Sequence, residues 1–367
     1  MSETLPQQRL LSLDVFRGLI MVLLMLESTG FYDHALKLTE STFLSNFFIQ
    51  FTHHPWNGLR FWDLIQPGFM FIAGTALALS LHKQFNAGVT WNAAFIKTLK
   101  RSGWLFFWGV LDYAVRGQDL SFELWDVLTQ LSFTTLVAFL IFRWDWKSQL
   151  AVSIGLLTLT EILYRLVNVE GFNQPFTNQH NFGNYLDLVL MNKINDGGWV
   201  AINCLPTAAH TIWGAVAGKL LLEKSNASQH IKQFAVAGLI CLAIGFAMDL
   251  TFTPIIKRIA TSSFVLASGG WCLLGLALFY WWIDLKEHKS GWKFFTIVGM
   301  NSVFIYLFFE IVGSRWFNGY ISVITNGLMG LAGLPEGLMM ILTSLCIFGL
   351  EWWMCYFLYR NKIFFKL

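Results

Sequence analysis

The sequence contains little charge, since only 13% of its 367 residues are Asp, Glu, Lys or Arg. Soluble domains carry about 25% charged residues, so the composition argues against a soluble protein and for a chain whose solvent is lipid. The five cysteines lie singly in apolar stretches, which argues against a disulfide framework or a cysteine metal site. The sequence contains no P-loop, nucleotide-binding glycine fingerprint or Ser/His/Asp nucleophile motif, and nothing in it predicts a nucleic-acid partner.

Apolar residues make up 55% of the chain, and its 17 Trp and 35 Phe suit interfacial aromatic belts and packed helix faces. A bilayer core of about 30 Å needs roughly 20 apolar residues per helix. On that basis we predict an all-α, polytopic membrane bundle that forms a single domain over residues 1–367. The ten expected membrane helices are 12–30, 61–82, 99–116, 122–142, 148–167, 199–222, 233–252, 262–284, 293–312 and 337–359.

Lysine and arginine predict the orientation of these helices. If the N-terminus is cytoplasmic, 17 of the 25 Lys and Arg residues fall in inside loops or inside helix ends, so we expect both termini in the cytoplasm. The polar residues 1–9 predict no separate signal peptide ahead of the first helix. Three outside segments are long, 31–60, 168–198 and 313–336, and the Asn-rich second one suits either an ordinary solvated loop or hydrogen bonding to a polyol.

The segment from Phe51 to Leu64 combines two histidines, His53 and His54, with the carboxylate Asp63 where one membrane helix ends and the next begins. Ionisable groups at such a boundary are costly and mark functional sites. Pro67 cannot donate to the carbonyl of Asp63, so we expect a kink there. An imidazole beside a carboxylate predicts acid–base chemistry, although histidines that merely cap the helix are the alternative. Adjacent histidines with no third ligand argue against a metal site.

Helix 1 carries Asp14 and Arg17 on one face near its cytoplasmic end, where an intrahelical ion pair is the simpler interpretation. Glu27 and Ser28 lie near its outside end, close to the histidines in sequence.

The helix predicted at 199–222 has one polar face, with Pro206 interrupting it; the residues on this face are Asn203, Thr207, His210 and Gly214. The helix predicted at 293–312 adds a second polar face that includes Asn301. Such faces line either a polar cavity or a hydrogen-bonded helix contact.

Three cations, Lys97, Lys100 and Arg101, cluster at the cytoplasmic start of the third helix. They suit either a polyphosphate or simple anchoring at the cytoplasmic surface.

An ordered series of short motifs resembles the heparan-α-glucosaminide N-acetyltransferase family and its bacterial transmembrane relatives. The motifs are residues 9–18 (RLLSLDVFRG), His53 to Trp56 with Gly58, Asp63 to Pro67, 195–198 (NDGG), 205–207 (LPT), 254–257 with 261–265, and 299–301. The resemblance covers nearly the whole chain. Departures include Ile256, where Asn is usual in the family, and Ala260, where Trp is common.

The resemblance implies a bacterial plasma-membrane (inner-membrane) enzyme that takes acetyl-CoA from the cytoplasm and acetylates a glucosamine-type amine on the far side. It selects His53, three residues before Trp56, as the catalytic histidine, with Asp63 beside it. For the acceptor we expect contacts from Glu27, Ser28, His54, Trp56, Asn57, Asn203, His210, Lys257 and Asn301. For acetyl-CoA we expect contacts from Asp14, Arg17, Lys97, Lys100 and Arg101.

His53 acts as a general base in our preferred mechanism, while a covalent acetyl-imidazole is the alternative. Two other functions fit the same features, a sugar permease without chemistry and an O-acetyltransferase of a cell-envelope glycan. A permease built from inverted repeats would show internal symmetry, and the sequence shows none. The oligomeric state stays open, with a homodimer as one of the states to test.

Overall fold

The computed structural model describes residues 10–114, 120–223 and 226–365, and this part of the chain is helical without a named β-strand. Residues 1–9, whose polar composition predicts no separate signal peptide, lie outside the described residues. The α-helices are α1 (Leu11–Ser28), α2 (Phe31–Leu38), α3 (Thr42–Phe48), α4 (Ile65–Asn86), α5 (Trp91–Ala114), α6 (Val127–Leu140), α7 (Trp146–Leu166), α8 (Phe182–Met191), α9 (Cys204–Leu221), α10 (Ala227–Thr251), α11 (Ser262–Phe279), α12 (Lys293–Met300), α13 (Ser302–Leu307), α14 (Asn318–Leu331) and α15 (Glu336–Arg360).

Short turns of other helix types adjoin several of these α-helices. The 3₁₀ turns are Ile49–Phe51, Phe61–Leu64 and Ala201–Asn203, and the π-helical stretches are Tyr280–Leu285 and Phe308–Phe317.

Each of the ten expected membrane segments contains helix. Five described helical stretches are long and apolar enough to cross a membrane. The number is six if the bent pair Lys293–Met300 and Ser302–Leu331 forms one membrane span. The five are Phe61–Asn86, Trp146–Leu166, Ala227–Thr251, Ser262–Leu285 and Glu336–Arg360. The all-helical class is therefore confirmed, while ten membrane crossings and cytoplasmic termini stay predictions.

The continuous helix expected at 293–312 is wrong. The chain breaks at Asn301, whose φ of −120° and ψ of 33° are not helical, and the helical segments on either side are bent by 74°. The side chain of Asn301 accepts a bond from the N–H of Phe365 at 3.0 Å and donates to the carbonyl of Ile363 at 3.1 Å. These bonds satisfy the N–H of Phe365 and the carbonyl of Ile363, and they tie the break to a distant part of the chain.

The chain forms two compact units. Among the described residues, the first unit contains those up to Phe31, residues 227–232 and those from Gly275 to residue 365, and the second contains those between 32 and 226 and residues 233–274. Within the first unit, Asp284 caps α1 by accepting the backbone N–H groups of Leu11 and Ser12, which stabilises the positive end of the helix dipole.

The second unit is built on a close contact between α4 and α9. A Cβ atom at Gly74 would lie 1.9 Å from the carbonyl oxygen of Thr211, and one at Gly214 would lie 1.9 Å from that of Phe71. Only glycine permits this approach, which is the usual role of small residues at helix contacts in membranes. Gly214, one of the four residues expected to form a polar face, thus packs against the backbone of α4.

Pro67 and Pro206 do not interrupt helices as expected. Each is the third residue of its α-helix, α4 or α9, and each helix follows a 3₁₀ turn. The first turn of a helix has no intrahelical partner for its N–H groups, so proline is tolerated there. The two prolines therefore mark where α4 and α9 begin, and Asp63 and Asn203 lie in the 3₁₀ turns just before these helices.

Candidate active site

The loop before α4 presents His53 to a buried carboxylate. The guanidinium of Arg60 holds this loop by donating to the hydroxyl of Thr52 at 2.7 Å and to the carbonyl of His53 at 2.9 Å. Asp63 is only 1% exposed, and its Oδ2 accepts the backbone N–H groups of Arg60 at 2.9 Å and His54 at 3.4 Å. Its other oxygen, Oδ1, is left to face His53.

A second loop, between α10 and α11, presents Lys257 to the same point. Thr261 shapes this turn, because its hydroxyl donates to the carbonyl of Pro254 at 2.7 Å and accepts the N–H of Ile256 at 3.0 Å. Ile256 also pairs with Asn57 in an isolated antiparallel bridge. The bridge aligns the two loops, so Lys257 comes beside His53 although 204 residues separate them in sequence.

Lys257, His53 and Asp63 form a triangle of charged and polar atoms. The Nζ of Lys257 lies 3.1 Å from Nδ1 of His53 and 3.5 Å from Oδ1 of Asp63, and Nδ1 lies 3.5 Å from the same oxygen. Lys257 is 6% exposed, whereas the side chain of His53 keeps 41% of its surface exposed. The two buried charges are thus paired, as buried charges must be, and the imidazole joins them to the surface.

The surroundings lower the pKa of His53 below its usual value. Crowding of protein atoms around the ring is the largest cause, the Lys257 ammonium adds to it, and the hydrogen bond and charge of Asp63 oppose both. The charge of Arg258 also lowers the pKa, by less than the charge of Lys257. A neutral imidazole at neutral pH is the form that can accept a proton.

An aromatic side chain that the sequence analysis did not select, Trp199, completes the cluster. Its ring centroid lies 5.7 Å from that of His53, and the Lys257 ammonium lies 5.3 Å from it, within the range of a cation–π contact. A turn presents this ring, in which the side chain of Asn195 accepts the N–H of Gly197 at 2.8 Å and Gly198 has a φ of +78°. The Asn-Asp-Gly-Gly motif, residues 195–198, was the sequence signal for this turn. The sequence analysis did not place that motif beside His53.

The structure separates the two adjacent histidines. The ring of His54 packs over Gly58, and its buried Nδ1 has no hydrogen-bond partner among the described residues. Trp56 donates its indole N–H to the carbonyl of Phe176 at 2.7 Å and packs against a small core around Ile256 and Val200. Together with the bridge of Asn57 to Ile256, these contacts support the loop, and acceptor binding by the three residues stays a prediction.

Asn203 and His210 are fully buried. The amide of Asn203 donates to the carbonyl of Arg258 at 2.5 Å, so it braces the turn that carries Lys257. Nε2 of His210 lies 2.9 Å from the hydroxyl of Ser268 on α11. Their predicted contact with the acceptor therefore stays untested, while their observed contacts hold helices and turns together.

Five other selected residues belong to the first compact unit; they are Asp14, Arg17, Glu27, Ser28 and Asn301. Asp14 and Arg17 form the expected intrahelical ion pair at 3.9 Å. The hydroxyl of Ser28 donates to the carbonyl of Met25 in its own helix, and Glu27 is exposed.

The three cations proposed for acetyl-CoA, Lys97, Lys100 and Arg101, follow one another along the first half of α5 in the second unit. Lys97 and Lys100 are exposed. Their role with a polyphosphate stays a prediction.

Comparison with known proteins gives one distant similarity. No protein-family model matches the chain. The chain is 24% identical to heparan-alpha-glucosaminide N-acetyltransferase of mouse (Mus musculus), over 83% of this chain and 54% of the mouse protein. It thus spans about half the length of that relative, and the similarity, together with the apolar helices, supports a membrane protein distantly related to an acyltransferase.

Proposed function

We propose that the protein is a transmembrane acetyltransferase that moves an acetyl group from cytoplasmic acetyl-CoA to the amine of a glucosamine-type sugar on the opposite side of the membrane. The observation that carries the proposal is the contact of His53, half-exposed, with the buried pair Asp63 and Lys257 at the start of a membrane-length helix. The distant similarity to an N-acetyltransferase points to the same chemistry.

In the proposed reaction His53 is the general base. Its Nδ1 faces Asp63 and Lys257, so Nε2 on the opposite edge of the ring is the nitrogen available to the acceptor. As the amine attacks the thioester carbon, the N–C bond forms and the C–S bond breaks. The proton of the amine passes to Nε2 and then to the departing CoA sulfur, while Asp63 stabilises the intermediate imidazolium.

The lowered pKa of His53 suits this role. The imidazole is unprotonated at neutral pH, and a base of this kind contributes about 10²- to 10⁴-fold to the rate. The cations Lys97, Lys100 and Arg101 would bind the phosphates of acetyl-CoA, since ammonium and guanidinium groups are the usual phosphate ligands.

The test is transfer from [¹⁴C]acetyl-CoA to glucosamine by the purified protein in nanodiscs. We expect His53→Ala to reduce the rate at least ~100-fold. His54→Ala is the matched control, because it removes the neighbouring imidazole, and we expect a much smaller loss. Equal activity of wild-type protein and His53→Ala would refute the mechanism, and absence of transfer by the wild-type protein to any amino sugar would refute the function.

A second acceptor in the same assay separates N- from O-acetylation. N-acetylglucosamine offers hydroxyl groups but no free amine, so the proposal expects label on glucosamine alone. Label on N-acetylglucosamine would move the assignment to an O-acetyltransferase with the same base.

A further inference from the structure

We propose that Lys257 is a positioning residue that decides which nitrogen of His53 carries the proton, and that it holds the base inactive until a substrate draws the ammonium away. The inference rests on the proposed function, because it concerns the base of that reaction. It begins from one distance, 3.1 Å between Nζ of Lys257 and Nδ1 of His53.

Lys257 approaches His53 as a charged donor. The side chain is 6% exposed and lies 3.5 Å from the carboxylate of Asp63, which is 1% exposed. A buried carboxylate requires a counter-charge, and the ammonium is the cation that contacts it. An ammonium has three hydrogens and no lone pair, so it donates to Nδ1 and cannot accept from it.

This contact fixes the tautomer of a neutral imidazole. If Nδ1 accepts a hydrogen from Lys257, the single proton of the ring lies on Nε2. Nε2 has no hydrogen-bond partner among the described residues, and the side chain of His53 keeps 41% of its surface exposed. The free enzyme therefore presents an N–H donor to the acceptor, whereas a general base needs a lone pair there.

The active tautomer requires a different arrangement of the same three groups. Nδ1–H must donate to Oδ1 of Asp63, which already lies 3.5 Å away, and Lys257 must leave Nδ1. The exposed ring exchanges its proton with water, one proton leaving Nε2 and one arriving at Nδ1, so the number of protons does not change. An acceptor atom that the bound substrate brings to the site, such as the thioester oxygen of acetyl-CoA or the thiolate sulfur of CoA, is the partner that would attract the ammonium.

The remaining charged groups near His53 do not replace Lys257 in this role. The charge of Arg258 has a smaller effect on the ring than that of Lys257, and its guanidinium binds the carbonyl of Gly197. Arg60 binds the carbonyl of His53 and the hydroxyl of Thr52. Asp63 favours a proton on Nδ1 and thus opposes Lys257.

Nitrogen NMR of protein labelled with [¹⁵N]histidine tests the inference, because a bare and a protonated ring nitrogen differ clearly in chemical shift. The chain has 8 histidines, and the His53 signal is identified by its loss in His53→Gln. We expect the proton on Nε2 in the free wild-type protein and on Nδ1 in Lys257→Met. Lys193→Met, which removes a lysine paired with Glu123, is the matched control and should leave the signal unchanged.

The same variant has a kinetic signature. Without the ammonium the pKa of His53 rises, so the acid limb of the kcat/KM profile moves to higher pH in Lys257→Met, and Lys257→Arg restores part of the wild-type profile. If Lys257→Met leaves Asp63 without its counter-charge and does not fold, Lys257→Met with Asp63→Asn removes both charges. The wild-type spectrum alone still decides the question, since a proton on Nδ1 in the free protein would overturn the inference.

A dead-end complex tests the role of the substrate. CoA together with the amino sugar that the enzyme acetylates cannot react, and we expect its addition to move the proton from Nε2 to Nδ1. A proton that stays on Nε2 in this complex would overturn the proposed activation. Since the free-enzyme tautomer is measured without acetyl transfer, a failure of the proposed function and a failure of this inference are distinguishable.

Discussion

The backbone N–H of Gly58 donates to the carbonyl of Ile255 at 2.8 Å, and this bond joins the loop of His53 to the loop of Lys257. The adjacent antiparallel bridge between Asn57 and Ile256 extends this connection by one residue pair. The candidate catalytic groups thus depend on a two-residue pairing between segments about 200 residues apart in sequence.

Gly58→Ala should disrupt this pairing. Gly58 has a φ of +136°, which side chains rarely adopt, and a Cβ atom would lie 2.6 Å from Nε2 of His54. We expect a loss of roughly 1–3 kcal/mol in the free energy of unfolding and a larger relative loss of acetyl transfer. Thermal unfolding with an activity assay measures both. Gly103→Ala, in α5 with open space around its Cβ, is the control and should retain stability and activity; equal behaviour of the two variants would contradict the role of the bridge.

Asp63→Asn should shift the pH dependence in the direction opposite to Lys257→Met. Asp63 raises the pKa of His53, so its removal lowers that pKa further. The base is then unprotonated at lower pH, and the acid limb of kcat/KM moves to lower pH, while the maximal rate falls because the imidazolium loses its carboxylate partner.

The control for this variant is Glu123→Gln, which breaks an ion pair with Lys193 elsewhere in the same unit and should leave the profile in place. Asp63→Asn also leaves Lys257 buried without its carboxylate, which costs about 3–5 kcal/mol. Stability is therefore measured beside the rates, and an acid limb that moves to higher pH would contradict the arrangement described above.

The pairing of His53 with Asp63 was predictable from the sequence, because both residues flank the start of one helix. The position of Lys257 was not, because its approach depends on the bridge between Asn57 and Ile256 and on the turn closed by Thr261. No local pattern encodes such a contact. Lys257 lies in a motif of the family resemblance, but we expected it to contact the acceptor and not the histidine.

Helix positions were predictable only in part, because α2, α3, α8 and α14 lie in the three long segments expected between membrane helices. Hydropathy selected ten apolar segments that each contain helix, but it did not give their boundaries and breaks. It placed Pro67 and Pro206 inside helices, whereas a 3₁₀ turn precedes each and the α-helix starts two residues before the proline. The break at Asn301 was missed because the residues that bind its side chain, Ile363 and Phe365, lie more than 60 positions later.

Asn301→Ala tests whether this residue supports the fold. The variant loses the bonds to Ile363 and Phe365, so we expect a loss of roughly 1–3 kcal/mol and faster proteolysis of the C-terminal segment. Asn361→Ala, which removes only a bond to Phe357 within the end of α15, is the control. A raised KM for the acceptor with unchanged proteolysis would instead favour the substrate contact that the family resemblance suggests.

Asp187 on α8 should make the stability of the protein fall as pH rises toward neutrality. Its carboxylate is fully buried and accepts the N–H groups of Trp125 and Ala201, each at 2.9 Å. Burial raises its pKa from 3.8 to about 7, although the two hydrogen bonds oppose the shift. The folded protein therefore keeps a proton that the unfolded chain releases between these two values, and stability decreases as pH rises through that window.

The full effect is on the order of 4 kcal/mol, since one pKa unit corresponds to about 1.4 kcal/mol, and it is reached once the pH exceeds the folded pKa. Asp187→Asn cannot ionise, so we expect the unfolding midpoint of this variant to vary much less than that of the wild-type protein from pH 5 to pH 8. Glu170→Gln changes an exposed carboxylate in the loop between α7 and α8 and should keep the wild-type dependence. Parallel curves for wild-type protein and Asp187→Asn would show that the carboxylate is already ionised in the folded state. The two N–H donors from Trp125 and Ala201 would then stabilise a buried anion at the turn that leads into α9.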